Sequence, residues 1–306
     1  MQANKMKEEV TNRIIEALES GTAPWRQSWT SAGARAPRNS QGRAYRGVNV
    51  LLLMITAINE GFTSPYWLTF NHVQEREAKI KKGSKGTRIY WFNSFEKERK
   101  DKNKQPVRDE KGEVIKDTIP YFKAFTVWNA DQIEGLSDSF YVDLNAGELD
   151  QTMRFQEGDE FIANTGAEIH ECGADPCYIP GTDQIMMPTF QQFETAEEFY
   201  TTALHELSHW TKHPDRKDRD FKESHGDKAY PMEELVAEIS AAFTAAYLEM
   251  NVDFGKNTAA YIDHWIQHFK DDKAAFHEAV KHAQRASDYL VSLQGQEDSE
   301  GLEEAA

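Results

Sequence analysis

The chain has 306 residues, with 51 Asp and Glu against 35 Lys and Arg, and a formal net charge of −16. That length accommodates two domains of ordinary size, each with its own core, while the longest apolar run, 50–58, is too short to span a bilayer. The first twenty residues are polar and charged, unlike a secretory leader, and Cys172 and Cys177 are too few for a disulfide framework, so a reduced cytoplasmic protein is expected. The charge is uneven: residues 1–130 carry 23 Lys and Arg against 14 Asp and Glu, and the remaining 176 carry 12 against 37. A basic part is thus joined to an acidic one, which points to two domains with different partners and to a polyanion for the first.

In chain order, Met6, Val10, Ile14 and Leu18 keep helical spacing up to Gly21, and 48–58 reads as a buried helix stopped by Gly61. Segments 66–70, 88–95 and 120–128 are rich in aromatic and β-branched residues and read as strands. The polar stretch 96–118 is expected to be a mobile insertion at a hairpin tip. A connector follows at 134–150, in which Phe140, Tyr141 and Val142 could add a strand. The apolar residues after Asp183 are expected to form the edge strand of a cleft, where an extended substrate would pair. The last two helices are placed at 256–270 and 273–293, with Tyr261, Trp265 and Phe269 on one face. An acidic tail closes the chain from 294.

His205-Glu206-Leu207-Ser208-His209 is the most informative segment. Thr195 is a suitable N-cap with Glu198 three residues on, and Phe199, Ala203, Leu207 and Trp210 keep helical spacing until Pro214 forbids continuation. His205 and His209 therefore share one helix face and can reach one divalent ion, while Glu206 can hold and deprotonate a water there. Catalysis requires a third protein ligand and an open fourth position. A second helix, with Pro231 at its first position, carries Glu233, Glu234 and Glu238. One of Glu234 and Glu238 can bind the ion while the other fixes a ligand imidazole. The competing reading makes these groups solvated histidines and carboxylates that complement a helix N-terminus. The E-x-x-x-E pattern after H-E-x-x-H resembles the gluzincin peptidases, which implies Glu234 on the metal and Glu238 behind it. The donor set suits zinc, and manganese or nickel can occupy the same ligands.

In the basic part Trp25, Trp29, Tyr45, Tyr66, Trp67 and Phe70 interleave with Arg26, Arg35, Arg38, Arg43 and Arg46, and Lys81, Lys82, Lys85 and Arg88 surround Gly83 and Gly86. Stacking faces beside cations are the combination expected for single-stranded nucleic acid, although the same aromatics could form a core and the lysines a solvated turn. The stretches 21–25, 37–39, 45–49, 67–70, 82–86 and 125–133 resemble the N-terminal domain of ArdC-type antirestriction proteins. Those at 178–180, 183–188, 205–211 and 233–238 resemble that family's zincin-like C-terminal domain. The resemblance implies an α+β protein of two domains: a single-stranded-DNA-binding domain over 1–133 and a gluzincin-type metallopeptidase domain over 151–293. It also implies shielding of incoming plasmid or phage DNA from host restriction, with a restriction protein as a further partner. Trp25, Trp29, Arg38, Asn39, Tyr45, Arg46, Asn49, Trp67, Lys82 and Lys85 become the candidate DNA contacts. Two rivals are an intracellular zinc peptidase whose basic domain binds a protein, and an acidic DNA mimic, which would not need an H-E-x-x-H helix.

Overall fold

Met6, Val10, Ile14 and Leu18 are all buried along one face of helix α1 (Gln2–Glu19), as their spacing predicts. The computed structural model describes residues 2–21, 23–26, 36–102, 105–109, 111–141, 153–172, 175–221, 225–250 and 262–295. Helix α2 (Val48–Glu60) is apolar on nearly all sides and buried over its first eight residues. It ends at Gly61, whose φ of 71° caps the helix in the left-handed region that glycine enters without steric cost.

The N-terminal domain lays these helices against a four-stranded sheet of order β1-β2-β5-β4, formed by β1 (Arg38–Asn39), β2 (Tyr66–Thr69), β4 (Thr87–Glu98) and β5 (Lys116–Asn129). Helix α3 (Phe70–Glu75) and the short pair β3 (Lys79–Ile80) and β6 (Ile133–Glu134) complete it. The β4–β5 ladder runs unbroken from Thr87↔Val127 to Glu98↔Lys116. Residues 96–98 and 116–118, expected in a mobile insertion, are therefore the outer rungs of a long two-stranded arm. Cross-strand pairs such as Lys116–Glu96 at 2.8 Å let polar residues extend the ladder.

The C-terminal domain contains helix α4 (Gln156–Asn164), strands β7 (Glu168–Glu171), β8 (Cys177–Ile179) and β9 (Gln184–Met187), and helices α5 (Ala196–Trp210), α6 (Ala229–Tyr247), α7 (Ile262–Asp271) and α8 (Ala275–Ser292). Gly158 lets α4 approach α5, since a Cβ there would lie 2.7 Å from the Tyr200 ring. Strand β9 sits in the middle of the sheet, parallel to β7 and antiparallel to β8, so the edge beside it is β8 and not the strand after Asp183. Its alternate residues Ile185 and Met187 are wholly buried, which suits a central strand. Pro231 lies one residue further into α6 than its second position, because Ala229 and Tyr230 already belong to the helix. The segment Phe140–Tyr141 ends a short 3-10 turn instead of a strand; Val142, Trp29, Tyr261 and 296–306 lie outside the described residues.

The expectation of a separate core for each domain gives way. One apolar cluster runs from Met6 and Ile14 of α1 through Leu51–Leu53 of α2 to Leu207, Val236, Phe269 and Phe276 of the C-terminal domain. Trp25 meets Trp265 edge-on at 5.8 Å, and Thr11 donates to the Lys273 carbonyl at 2.9 Å. The sequence balance of basic and acidic halves said nothing about this seam, because charge patterning reports on surfaces.

Candidate metal centre

Helix α5 begins at Thr195, whose hydroxyl accepts from the Glu198 backbone N–H at 3.1 Å, while Glu198 reaches back to the Glu194 N–H at 2.9 Å. This fixes the helix four turns of backbone before its end, and the i, i+4 spacing brings His205 and His209 together with their Nε2 atoms 3.1 Å apart. Glu234 on the neighbouring α6 closes a triangle: Oε2 lies 3.5 Å from His205 Nε2 and Oε1 lies 3.5 Å from His209 Nε2. Donors bound tetrahedrally at roughly 2.0–2.1 Å are separated by about 3.3 Å, so the three edges fit a single small divalent ion. Among the described residues these three are the only such group of potential ligands.

The structure differs from expectation behind the ligands. Glu233, not Glu238, touches a ligand imidazole, with Oε1 3.0 Å from His209 Nδ1. Arg219 grips Glu233 with two hydrogen bonds of 2.8 and 2.7 Å, and two more of its N–H groups donate to the Thr211 hydroxyl and the Ser208 carbonyl. Burial opposes ionisation of Glu233, yet Arg219 and His209 outweigh it and hold the carboxyl down at about 2. An ionised carboxylate only accepts, so His209 Nδ1 carries the hydrogen and the Nε2 lone pair faces the metal position. At His205 burial opposes the charged form, but Glu234, Glu206 and Glu238 together raise the pKa. Glu234 is shifted down by its two histidines against the effect of burial.

Glu238 does something else. Its side chain is wholly buried and accepts from Trp25 Nε1 and Arg26 Nε, both at 2.8 Å, with a further ion pair to the Arg26 guanidinium. One turn beyond Glu234, it faces the N-terminal domain and clasps the 3-10 turn Pro24–Arg26 to α6. Trp25 is fully buried in that clasp, so it offers no face for stacking. Tyr45, Asn49 and Trp67 are also buried. Asn49 bridges α2 to β4 by accepting from the Tyr90 N–H and donating to the Tyr90 carbonyl, and its burial there keeps it from a base. Arg38 pairs with Glu249, Arg46 with Asp288, and Asn39 caps its own turn through the Gln41 and Arg43 N–H groups. Lys82 and Lys85 are exposed and make no ion pair among the described residues. His225 stands apart from the centre, bonded to Glu278 and His268.

Glu206 is buried beside His205, and the edge strand β8 runs close by. Burial, then the charges of Glu206 and Asp175, push the Cys177 thiol up. Cys172 and Cys177 are free, and both are exposed. Asp183, with φ of 58°, anchors the turn before β9 to Arg216 and Tyr178. Arg219 and Glu233 were missed as functional groups. Glu233 carried one signal, its place beside Glu234, whereas Arg219 lies in a loop of alternating charges with no periodicity to mark it.

Residues 156–282 match the zincin-like metallopeptidase family, and residues 4–128 match the N-terminal domain of the anti-restriction factor ArdC. The crystal structure of the metal-free antirestriction ArdC protein from the R388 plasmid superposes with a TM-score of 0.77 at 37% identity, covering 94% of this chain and 97% of that one. The chain belongs to the ArdC antirestriction family. The Mn(II)-bound R388 ArdC structure is similar as well, with a TM-score of 0.74, 35% identity, and coverage of 95% and 99%. A divalent metal at the His205–His209–Glu234 triangle accords with that relative. The Escherichia coli DNA primase TraC is 36% identical over 298 residues, and y4eC of Sinorhizobium fredii (strain NBRC 101917 / NGR234) is 30% identical over 290 residues. The chain spans 27% of TraC's length but 92% of y4eC's. No helix among the described residues is long and apolar enough to cross a membrane.

Proposed function

We propose that this ArdC-family protein is a cytoplasmic antirestriction factor that binds single-stranded DNA with its N-terminal domain and protects incoming plasmid or phage DNA. The observation that carries this reading is a basic–aromatic surface on a domain of the ArdC type. Phe70 is 51% exposed and lies edge-on to Trp128, whose indole packs beside Gly86 between Lys85 and Thr87. Lys85 adjoins this patch through Gly86, with the exposed Lys82 in the same turn, while on the opposite face of the sheet Lys123 lies over the Trp91 ring at 5.6 Å with Phe125 exposed beside it. Cations that neutralise phosphates next to rings that stack on bases favour single strands without sequence preference. Phe70 takes the stacking role that the buried Trp25 and Trp67 cannot.

The metal domain is built for hydrolysis of a protein substrate, for which a host restriction protein is our candidate. Its ligand set favours Zn2+. A bound Zn2+ would supply Lewis acidity to a carbonyl oxygen and lower the pKa of water. Glu206 is placed to take that water's proton and return it to the leaving amine, and the outer edge of β8 offers backbone groups to an extended peptide. The test is transfer of a plasmid into restricting and non-restricting recipients, comparing wild type with Glu206→Gln and with Phe70→Ala/Lys82→Ala/Lys85→Ala. We expect the surface variant to lose protection and Glu206→Gln to keep DNA binding, metal and at least part of the protection. If the surface variant protects fully, DNA binding is not the means of protection; complete loss with Glu206→Gln alone makes hydrolysis the leading mechanism.

A further inference from the structure

We infer that the cleft between the loop after α5 and the middle of α8 is a phosphate-binding site. The cavity, about 330 Å³, is lined by Arg216, Lys217, Arg219, His282, Arg285 and Asp288. Four permanent cations against one acid is the reverse of the surrounding domain, in which acids outnumber bases threefold by sequence. The volume lies within the range of small-ligand pockets and exceeds what a lone phosphate needs, so the group bound would be one phosphate of a nucleotide-sized molecule.

The six residues divide into a fixed wall and two uncommitted cations. Arg216 is held by the Trp210 carbonyl and Asp183 and stacks on the Trp210 ring at 3.9 Å, while Arg219 is spent on Glu233, Thr211 and Ser208. These guanidiniums are each held by a carboxylate, so the wall is preorganised and the excess positive charge of the cleft comes from Lys217 and Arg285. Lys217 and Arg285 are exposed, and neither makes an ion pair among the described residues; Lys217 lies 4.5 Å from the Tyr289 ring centre. The acid of the lining, Asp288, is neutralised by Arg46 of the N-terminal domain at 2.6 Å. His282 is kept neutral by burial and then by the nearby Arg219 and Arg285, leaving it able both to donate and to accept. Converging fixed and movable cations with one neutral imidazole are what a tetrahedral oxyanion requires.

Arg46 and the Gly47 N–H, which donates to Gln284 at 2.7 Å, place the mouth of this cleft on the seam between the domains. A DNA strand bound as proposed above could continue across the seam and set a backbone phosphate here; a free phosphorylated small molecule offers the same chemistry. The experiment uses full-length protein and Lys217→Ala/Arg285→Ala. Melting is compared in chloride and in inorganic phosphate at matched ionic strength, and binding of a labelled oligothymidine is followed across salt. General stabilisation by phosphate acts on both proteins alike. We expect the extra phosphate protection of wild type to fall at least twofold in the variant. With DNA as the source, the log–log salt slope also falls by about 0.7, one phosphate's share on a single strand. Lost phosphate protection with an unchanged slope assigns the site to a free phosphorylated molecule. Equal protection of the two proteins, whatever the slope, overturns the site in favour of diffuse surface charge. Failure of wild type to bind the oligonucleotide at all would remove the DNA reading, while the melting comparison still decides the pocket.

Discussion

The metal centre and the basic–aromatic surface hold their working residues in opposite ways. His205, His209 and Glu234 stand on two packed helices, and behind His209 come a carboxylate and then a guanidinium that is itself held by four hydrogen bonds. Phe70, Lys82 and Lys85 stand in water on turns and a short helix, with few bonds to fix them. Precision at the first site depends on buried charges that are costly to leave unpaired; adaptability at the second depends on exposed groups that can be lost singly. Substitutions at the centre should therefore damage stability and binding together, and those on the surface should alter affinity alone.

The largest effect expected is loss of the ion. His205→Ala/His209→Ala should reduce metal content from about one per chain to none by elemental analysis. It should also abolish the gain in melting temperature on adding Zn2+, since an ion bound at about 1,000 times its Kd stabilises by roughly 4 kcal/mol. Stoichiometric metal in the double variant would break the contrast outright. Next comes the support. Arg219→Leu strands the buried Glu233 carboxylate and should cost about 3–5 kcal/mol in urea unfolding.

Glu233 also gives this pair a pH signature. Its folded pKa is depressed to about 2 from the ordinary 4.5, so its contribution is complete above about 4.5 and disappears as pH falls towards 2. Wild-type metal-free protein should lose stability through that window, and Arg219→Leu should lose less there. Equal acid sensitivity would mean that the ion pair is not what holds His209.

Trp25→Phe should be milder, about 1–3 kcal/mol, because it removes one hydrogen bond to the buried Glu238 while keeping most of the ring's packing. It should leave oligonucleotide affinity unchanged; a loss of affinity without destabilisation would return Trp25 to the DNA surface. The smallest change in stability belongs to Lys82→Ala/Lys85→Ala, within about 0.5 kcal/mol. Its salt slope for single strands should fall by about 1.4, two phosphates' worth.

How far each region could be read from sequence follows the same physics. The metal ligands were legible because two histidines four apart on a capped helix, and a carboxylate on the next, leave little freedom in where they point. The two-domain α+β architecture was legible from the charge asymmetry and the family resemblance, with apolar spacing and strand-forming runs supplying the elements of the N-terminal part. Glu233 and Arg219 were hidden because their partnership is set by how a loop folds back over two helices. The burial of Trp25 and Trp67 was hidden for a related reason. Trp25 lies in a three-residue 3-10 turn and Trp67 in a four-residue strand, too short for periodicity to separate a buried ring from an exposed one. Their aromatic and basic neighbours looked alike by composition, and only packing distinguishes Trp67 from Phe70.

The clasp of Trp25 and Arg26 on Glu238 bears on heredity. A gene fragment encoding the C-terminal domain alone would yield a protein that has lost the Trp25 and Arg26 partners of Glu238 and bares the apolar surface that packs against the N-terminal domain. One encoding the N-terminal domain alone would bare the apolar side of α1. Recombination that split the chain between its domains would be selected against at the level of folding, before any question of activity arose. The heritable module is then the pair, and 94% of this chain is found again within the much longer TraC. Grafts and fusions that keep the whole pair should express, whereas those cut at the connector should not.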